Sequence, residues 1–203
     1  MEIKDRWRGL VLRRAHHGGS PRRFELLYVV SDPWQMHSDA EASRFAWVDQ
    51  LLEAHLKPAS TILEIGCGEG HQSVHLARHC DHLFGVDASQ LAIARCRRRC
   101  PRGLFKVGNP ARLSFAYTPL VFDLVVACEV VYYMRDPARC IERLTCLGRA
   151  CFVTYYDEQF EALDPWFEQV AEGYDTHEFG GTSWRAVWWR NHRVPTGLSA
   201  ERP

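Results

Sequence analysis

The chain has 203 residues, of which 46% are hydrophobic and 25% charged, and its 25 basic side chains are balanced by 25 acidic ones. This length and composition are typical of one globular domain, and the balanced charge argues against a general affinity for nucleic acids or membrane surfaces. No apolar run approaches the roughly 20 residues that span a bilayer, and the N-terminus does not resemble a secretory signal, so we expect a cytoplasmic protein without a membrane partner.

Eight cysteines would suit disulfides or a zinc site if their spacing allowed it. Cys67, Cys128 and Cys151 lie in or beside apolar runs, where a cysteine is usually a small buried hydrophobe. Cys96 and Cys100 lie one helical turn apart among arginines, without a second cysteine or histidine pair beside them. We therefore expect free thiols and no metal site.

The first 27 residues are rich in arginine and contain the turn sequence Gly18-Gly19-Ser20-Pro21. They predict a loosely packed basic arm, and the alternative is an arm that meets a polyanionic substrate. We expect the arm at 1–27, one domain at 28–193 and a tail at 194–203.

The domain region alternates between helix and strand signals. A capping box at Ser38 and Glu41 starts a helix that Pro58 ends. The further predicted elements are helices at 70–79 and 89–99, a helix that opens at 136–137, a short helix from 164, strands at 61–65, 83–87, 103–107, 122–128 and 150–156, and a strand or hairpin arm at 184–189. Alternating elements of this kind predict an α/β fold with a doubly wound, mostly parallel sheet, in which ligands bind at the carboxyl ends of the strands.

A glycine-rich turn follows the first strand. The turn reads Gly66-x-Gly68-x-Gly70, and Asp87 ends the next strand 21 residues after Gly66. Such a loop with a carboxylate at this distance is typical of adenosine binding, with the carboxylate on the ribose hydroxyls. His71 takes the position where a dinucleotide fingerprint needs its last glycine, which argues against a dinucleotide. The alternative for Asp87 is a helix cap.

The pattern Glu64-x-Gly66-x-Gly68-x-Gly70 resembles the S-adenosylmethionine loop of class I methyltransferases. The resemblance implies a seven-stranded Rossmann-like sheet and S-adenosyl-L-methionine as the cofactor. The resemblance implies that Glu64, Gly66, Cys67 and Gly68 lie beside the methionine part of the cofactor, and that Asp87 and Ala88 lie beside its ribose. It further implies that Gly108 and Asn109 lie beside the adenine, and that Cys128 and Glu129 lie beside the methyl end. An ordinary turn is the alternative for Asn109.

A second set of motifs is similar to the nodulation-type N-methyltransferases, which methylate an amine of a deacetylated chitooligosaccharide. The motifs are Ser31-Asp32-Pro33-Trp34, the following helix with Arg44, and the tryptophan-rich segment from Trp184 to Arg190. The resemblance implies that Trp34 packs on the cofactor and that Arg44 pairs with the cofactor carboxylate. The alternatives are a hydrophobic anchor for Trp34, a solvated helix charge for Arg44 and core packing for the tryptophans.

The expected chemistry is methyl transfer to a small-molecule nucleophile, most simply an amine of an amino sugar or a natural-product intermediate. A neutral amine needs only a carboxylate that holds it and accepts a proton, whereas a hydroxyl needs a true base. The candidate catalytic residues are Glu129, Tyr133 and His71. The alternatives are an RNA or protein methyltransferase that uses the arginines at 95–102, or a non-catalytic cofactor-binding subunit of a partner protein. We expect nucleic acid not to be the partner.

Overall fold

The computed structural model describes residues 21–56, 59–108, 121–134 and 136–192. Within these residues the chain forms six helices, seven strands and two short 3-10 turns, the latter at Val131–Tyr133 and Asp157–Gln159. In chain order the helices and strands are α1 Pro21–Leu27, α2 Asp39–His55, β1 Ala59–Ile65, α3 Ser73–Leu76, β2 Cys80–Asp87, α4 Gln90–Arg99, β3 Leu104–Val107, β4 Phe122–Cys128, α5 Pro137–Leu147, β5 Gly148–Tyr156, α6 Phe160–Phe167, β6 Gly173–Phe179 and β7 Thr182–Arg190.

The seven strands form one sheet in the order β3-β2-β1-β4-β5-β7-β6. The first five strands pair in parallel, and β7 runs antiparallel to both β5 and β6. The predicted doubly wound, mostly parallel α/β fold is therefore confirmed. The strand order reverses between β1 and β4, so the carboxyl ends of these two strands flank the crevice where such sheets bind ligands.

Side chains alternate across the sheet and build a core on each face. Ile62 of β1, Leu124 of β4 and Phe152 of β5 pack on one face, which α2, α3 and α4 cover. Their neighbours Leu63 and Val125 pack on the other face with α5 and α6. Both faces of the central strands are buried, which explains why these strands read as continuous apolar runs in the sequence.

Three predicted helix starts are confirmed by side-chain caps. Ser38 accepts a hydrogen bond from the amide of Glu41, Ser89 from that of Ala92, and Asp136 from that of Arg139, with Pro137 in the first turn of α5. The helix-cap alternative for Asp87 is wrong, because Ser89 caps α4. These caps satisfy amides that have no partner inside the helix.

Two predicted helices differ from the structure. The helix expected at 70–79 is reduced to α3, Ser73–Leu76, because Gly70 is still in the left-handed region with φ +84°. The short helix expected to start at Asp164 begins instead at Phe160, with Pro165 inside it. Asp164 does not cap, because its carboxylate accepts hydrogen bonds from Tyr155 and Arg185.

Part of the predicted arm over 1–27 lies among the described residues. Pro21–Leu27 forms α1, Leu27 is fully buried, and the carboxylate of Glu25 accepts a hydrogen bond from the amide of Gln90 at 2.7 Å. Residues 1–20 and the predicted tail at 194–203 lie outside the described residues, so the arm, the domain boundaries and the tail stay predictions.

The tryptophan-rich segment forms β7, as the strand prediction required. Trp184, Trp188 and Trp189 are 3%, 8% and 2% exposed, and Trp188 stacks on His55 with ring centroids 4.6 Å apart. The core-packing alternative therefore holds for Trp188 and Trp189, while Trp184 lies in the core and also lines the cavity described below.

All eight cysteines lie among the described residues and are free thiols, as predicted. Over the same residues, the helices are too short or too polar to cross a membrane.

Candidate active site

A cavity of about 470 Å³ opens at the carboxyl ends of β1, β2 and β4. Its size falls within the range of about 300–1,000 Å³ that small ligands and cofactors occupy. Gly108 does not line the cavity, and Asn109 lies outside the described residues. The other predicted site residues all line it: Trp34, Arg44, Glu64, Gly66, Cys67, Gly68, His71, Asp87, Ala88, Cys128, Glu129 and Tyr133.

The glycine loop needs glycine for two physical reasons. Gly66 and Gly68 have φ values of +74° and +52°, which L side chains rarely adopt. A Cβ on Gly66 would lie 2.6 Å from Cγ2 of Val130, and one on Gly68 would lie 2.9 Å from the hydroxyl of Tyr28. The loop therefore packs tightly under its neighbours and presents backbone to the cavity.

Asp87 lies at the end of β2 and is 7% exposed. Its Oδ2 accepts a hydrogen bond from the amide of Gly68 at 3.0 Å, and its Oδ1 accepts one from the amide of Ser89 at 2.8 Å. Burial raises the pKa of Asp87 to about 6, although these backbone hydrogen bonds act in the opposite direction. The carboxylate thus ties the glycine loop to the start of α4 at the position predicted for the ribose.

Glu64 is a second buried carboxyl, 3% exposed, inside β1. Its Oε2 accepts a hydrogen bond from the hydroxyl of Ser73 at 2.5 Å. Burial raises the pKa of Glu64 to about 7, which the Ser73 hydroxyl partly offsets and the charge of Asp87 reinforces.

Arg44 is buried, with 2% exposure, so the solvated-charge alternative is wrong. Its Nε and Nη2 donate to Oε2 of Glu41 at 2.8 and 2.6 Å, and its Nη1 donates to Oε1 of Gln72 at 3.2 Å. The nearby carboxylates Glu41 and Glu129 raise the pKa of Arg44, so the guanidinium stays charged although burial opposes its charge. The predicted capping box is therefore only half formed, because Glu41 pairs with Arg44.

Residues 28–37 form a strap across the cavity. Trp34 donates from Nε1 to the hydroxyl of Tyr28 at 3.0 Å, and its ring lies 5.9 Å from that of Tyr133. The strap is fastened to the glycine loop at Glu69, which accepts hydrogen bonds from the amide of Asp32 at 3.0 Å and from Arg95 at 2.5 Å. Trp34 is thus an anchor of the strap that also lines the cavity.

Three side chains that could ligate a metal ion, those of Asp32, Glu69 and His71, lie close together beneath the strap. One carboxylate oxygen each of Asp32 and Glu69 and one ring nitrogen of His71 lie within 4.8 Å of one another. His71 is 8% exposed, and its Nε2 lies 3.7 Å from Oε2 of Glu69, beyond hydrogen-bond distance. Arg95 already neutralises Glu69, so these contacts are those of a junction between the strap and the loop. The contacts of His71 in the described residues are with Glu69 and with the ring of His37.

Glu129 follows β4 with φ +54°, an uncommon conformation for this residue type. Its Oε1 accepts a hydrogen bond from the hydroxyl of Thr154 at 2.9 Å, and its Oε2 lies 3.4 Å from the hydroxyl of Tyr132. Burial raises the pKa of Glu129 to about 7, while Arg44 and the Thr154 hydroxyl act to lower it. The carboxyl is therefore held in place and can exchange a proton near neutral pH.

An aromatic wall surrounds this carboxyl. The ring of Tyr132 lies 4.6 Å from that of Tyr133 and 5.2 Å from that of Tyr156, and Phe24 of α1 meets Tyr133 edge-to-face at 5.4 Å. Trp184 completes the wall on the β7 side.

Four residues of the site were not assigned a role by the sequence. Thr154 could have been noticed as a polar residue inside an apolar strand, and Glu69 as an acidic residue inside the glycine loop. Gln72 follows the loop by two residues and is 7% exposed. Tyr28 carries no local signal, because its contacts to Trp34 and the loop come from the path of the strap.

Comparison with known proteins finds a family match within this fold. A model described as a methyltransferase domain matches residues 63–147, from β1 to the end of α5, which is less than half of the 203-residue chain. The sheet order and the glycine loop at the β1–β4 switch point agree with that match. This part of the chain is therefore similar to methyltransferase domains, which supports the predicted class I fold and S-adenosyl-L-methionine as the predicted cofactor.

The relatives of the methyltransferase domain include nodulation proteins. The chain is 34% identical over 118 residues to nodulation protein S of Rhizobium tropici, an alignment that covers 54% of this chain and 46% of that protein. The corresponding protein of Sinorhizobium fredii is 35% identical over 112 residues, which cover 54% of this chain and 51% of that protein. The aligned part thus spans about half the length of these relatives, and the resemblance to the nodulation type is confirmed for that part.

Among solved structures, the N-methyltransferase NodS of Bradyrhizobium japonicum in complex with S-adenosyl-l-homocysteine superposes with a TM-score of 0.71. The sequence identity is 20%, and the match covers 84% of this chain and 97% of that chain. This likeness shows the shared fold.

Proposed function

We propose that the chain transfers a methyl group from S-adenosylmethionine to an amine nitrogen of a small molecule. The observation that carries the proposal is the setting of Glu129, a half-buried carboxyl that Thr154 and Tyr132 hold beside the glycine loop. When bound, the cofactor supplies a methyl group that a nitrogen lone pair accepts while the sulfur keeps the carbon–sulfur bonding pair, leaving S-adenosylhomocysteine. Glu129 orients the amine and takes its proton, which suits a pKa near 7.

The residues present fit this cofactor. Gly66 and Gly68 of the glycine loop line the cavity, and Asp87 offers carboxylate oxygens at the strand end for ribose hydroxyls. Arg44 offers the buried positive charge that a carboxylate needs. Asp87, Glu64 and Glu129 give the rest of the cavity a negative character, which favours a cationic sulfonium.

A small acceptor fits the cavity better than a macromolecule does. Three of the five arginines at 95–102 make intramolecular hydrogen bonds: Arg95 binds Glu69, Arg97 donates to the carbonyl of Phe105, and Arg99 donates to the carbonyl of Glu69. These contacts supply a structural reason for those three arginines, which argues against an RNA or protein substrate. The solved neighbour is an N-methyltransferase, which favours an amine as the acceptor. The resemblance to the nodulation-type family further implies an amine of an amino sugar or a related intermediate.

The cytoplasm is the compartment that we expect for this reaction. Eight cysteines remain free thiols in one domain, which is the usual state in a reducing compartment.

A hydroxyl acceptor is the second candidate. His71 supports it, because the residue lines the cavity and its buried Nε2 has no hydrogen-bond partner among the described residues, so the imidazole could serve as a base.

A substrate panel separates the two candidates. Purified protein would be incubated with S-adenosylmethionine and matched pairs of small molecules that differ only in an amine or a hydroxyl at one position, including amino sugars and their hydroxyl counterparts. We expect S-adenosylhomocysteine to form with amines at a rate well above the no-acceptor control. Turnover with the hydroxyl members alone would overturn the proposal.

A further inference from the structure

Gln72 lies directly before α3, at the cavity end of the glycine loop. The side chain is 7% exposed, and its Oε1 accepts a hydrogen bond from Nη1 of Arg44 at 3.2 Å. Arginine can only donate hydrogen bonds, so this contact fixes which end of the amide faces Arg44. The amide nitrogen of Gln72 must therefore point away from the guanidinium.

The amide nitrogen, Nε2, is buried and has no hydrogen-bond partner among the described residues. A buried donor without an acceptor costs free energy, and protein interiors rarely keep one unless a ligand or water supplies the acceptor. Glu41 already pairs with the buried guanidinium of Arg44 beside it, but Nη1 and Nη2 of that guanidinium each carry a second N–H. A carboxylate can accept from Nε2 of Gln72 and from such an N–H together.

We propose that Nε2 of Gln72 donates a hydrogen bond to the carboxylate of the cofactor's methionine portion, beside the guanidinium of Arg44. The inference rests on the proposed function and adds a residue that distinguishes ligands with this carboxylate from ligands without it. Gln72 thereby has two tasks, since its oxygen orients Arg44 and its nitrogen binds the ligand.

The test compares two ligands that share the adenosine and the sulfur. S-Adenosylhomocysteine contains the carboxylate, and 5′-methylthioadenosine lacks the whole amino-acid end. Calorimetry would measure the Kd of both for wild type, Gln72→Leu and Gln72→Glu, with Gln50→Leu as the matched control at an exposed position of α2.

We expect Gln72→Leu to weaken S-adenosylhomocysteine binding about tenfold or more, the range for hydrogen bonds to charged groups. Gln72→Glu should weaken it further, because a second carboxylate would repel that of the ligand. Both variants should bind 5′-methylthioadenosine within about twofold of wild type, and Gln50→Leu should match wild type for both ligands.

Unchanged S-adenosylhomocysteine affinity in Gln72→Leu would overturn the inference and indicate that water satisfies the amide. An equal loss for both ligands would also overturn it, because a structural effect on the loop does not distinguish them. Failure of the wild type to bind either ligand would count against the proposed function instead.

Discussion

The hydroxyl of Thr154, near the carboxyl end of the buried strand β5, donates a hydrogen bond of 2.9 Å to Oε1 of Glu129, which follows β4. The backbone joins the same two residues, since the amide of Glu129 donates to the carbonyl of Thr154 at 3.0 Å. Thr154 is fully buried and does not line the cavity, so we expect it to act on the reaction through Glu129 and not by touching the substrate. A residue of the sheet thus influences the protonation of Glu129, the proposed catalytic carboxyl, through a hydrogen bond.

The first prediction concerns Thr154→Val, which keeps the shape but removes the hydroxyl. The hydrogen bond favours the ionised carboxyl, so its loss should raise the pKa of Glu129 further above 7. Activity that depends on ionised Glu129 should then rise at higher pH than in wild type, and kcat at pH 7 should fall about three- to tenfold.

The measurement is the pH profile of kcat with Thr176→Val, on the exposed face of β6, as the control. A uniform fall in kcat without displacement of the acid limb would show that Thr154 is merely structural.

The second prediction separates the two candidate catalytic groups. Glu129→Gln should lower kcat about 100-fold or more with an amine acceptor, because the amide cannot take the proton. His71→Ala should lower kcat less than about tenfold, because the His71 ring contacts Glu69 and His37 at the junction beneath the strap. Steady-state kinetics of the two variants with one acceptor checks this order, and the reverse order would favour the hydroxyl acceptor.

The third prediction concerns cofactor affinity. Asp87→Ala removes the proposed ribose acceptor and the hydrogen bond to the amide of Gly68, so S-adenosylhomocysteine binding should weaken about 10- to 100-fold. Calorimetry against Asp81→Ala, an exposed position on the same strand, controls for the loss of charge. Equal affinity of wild type and Asp87→Ala would remove the ribose assignment.

The fourth prediction follows from the pKa of Glu64, which burial raises from 4.5 to about 7. Below 4.5 the carboxyl is protonated in both the folded and the unfolded chain and its burial carries no ionisation penalty. As the pH rises from 4.5 to about 7, the unfolded chain ionises first, so the folded state loses stability through this group. The loss levels off above about 7, where both states are ionised.

Glu64→Gln lacks this titration. The free energy of unfolding of the wild type, relative to that of Glu64→Gln, should therefore fall between pH 4.5 and about 7. Urea unfolding of both proteins at several pH values measures the difference. A difference that stays constant across this range would contradict the raised pKa.

Much of the fold could be predicted from the sequence because its signals are local. The central strands are buried on both faces, so the run from Leu124 to Cys128 is continuously apolar. Ser89 and Asp136 mark the starts of their helices because their side chains are typical N-caps. β6 was not predicted, because Gly173–Phe179 is an exposed edge strand whose residues lack an apolar pattern. Its order comes from pairing with β7, to which the turn at Gly180 and Gly181 joins it.

The same distinction holds for the site. The glycine loop and Asp87 each follow an apolar strand signal, and they lie at a typical distance along the sequence. Their position together at one edge of the sheet could therefore be predicted. Thr154 and Gln72 matter because of contacts with Glu129 and Arg44, which lie 25 and 28 positions away in the sequence. Such pairs depend on register and side-chain direction, which neither composition nor periodicity specifies.

Methyl transfer into a fractionated extract of the source cells tests the central claim most directly. Tritiated-methyl S-adenosylmethionine would be incubated with the extract and either wild type or Glu129→Gln, and the label counted in the small-molecule, RNA and protein fractions. We predict wild-type-dependent label in the small-molecule fraction, attached to nitrogen and nearly absent with Glu129→Gln. Label confined to RNA or protein, or label on oxygen that Glu129→Gln leaves unchanged, would contradict the account.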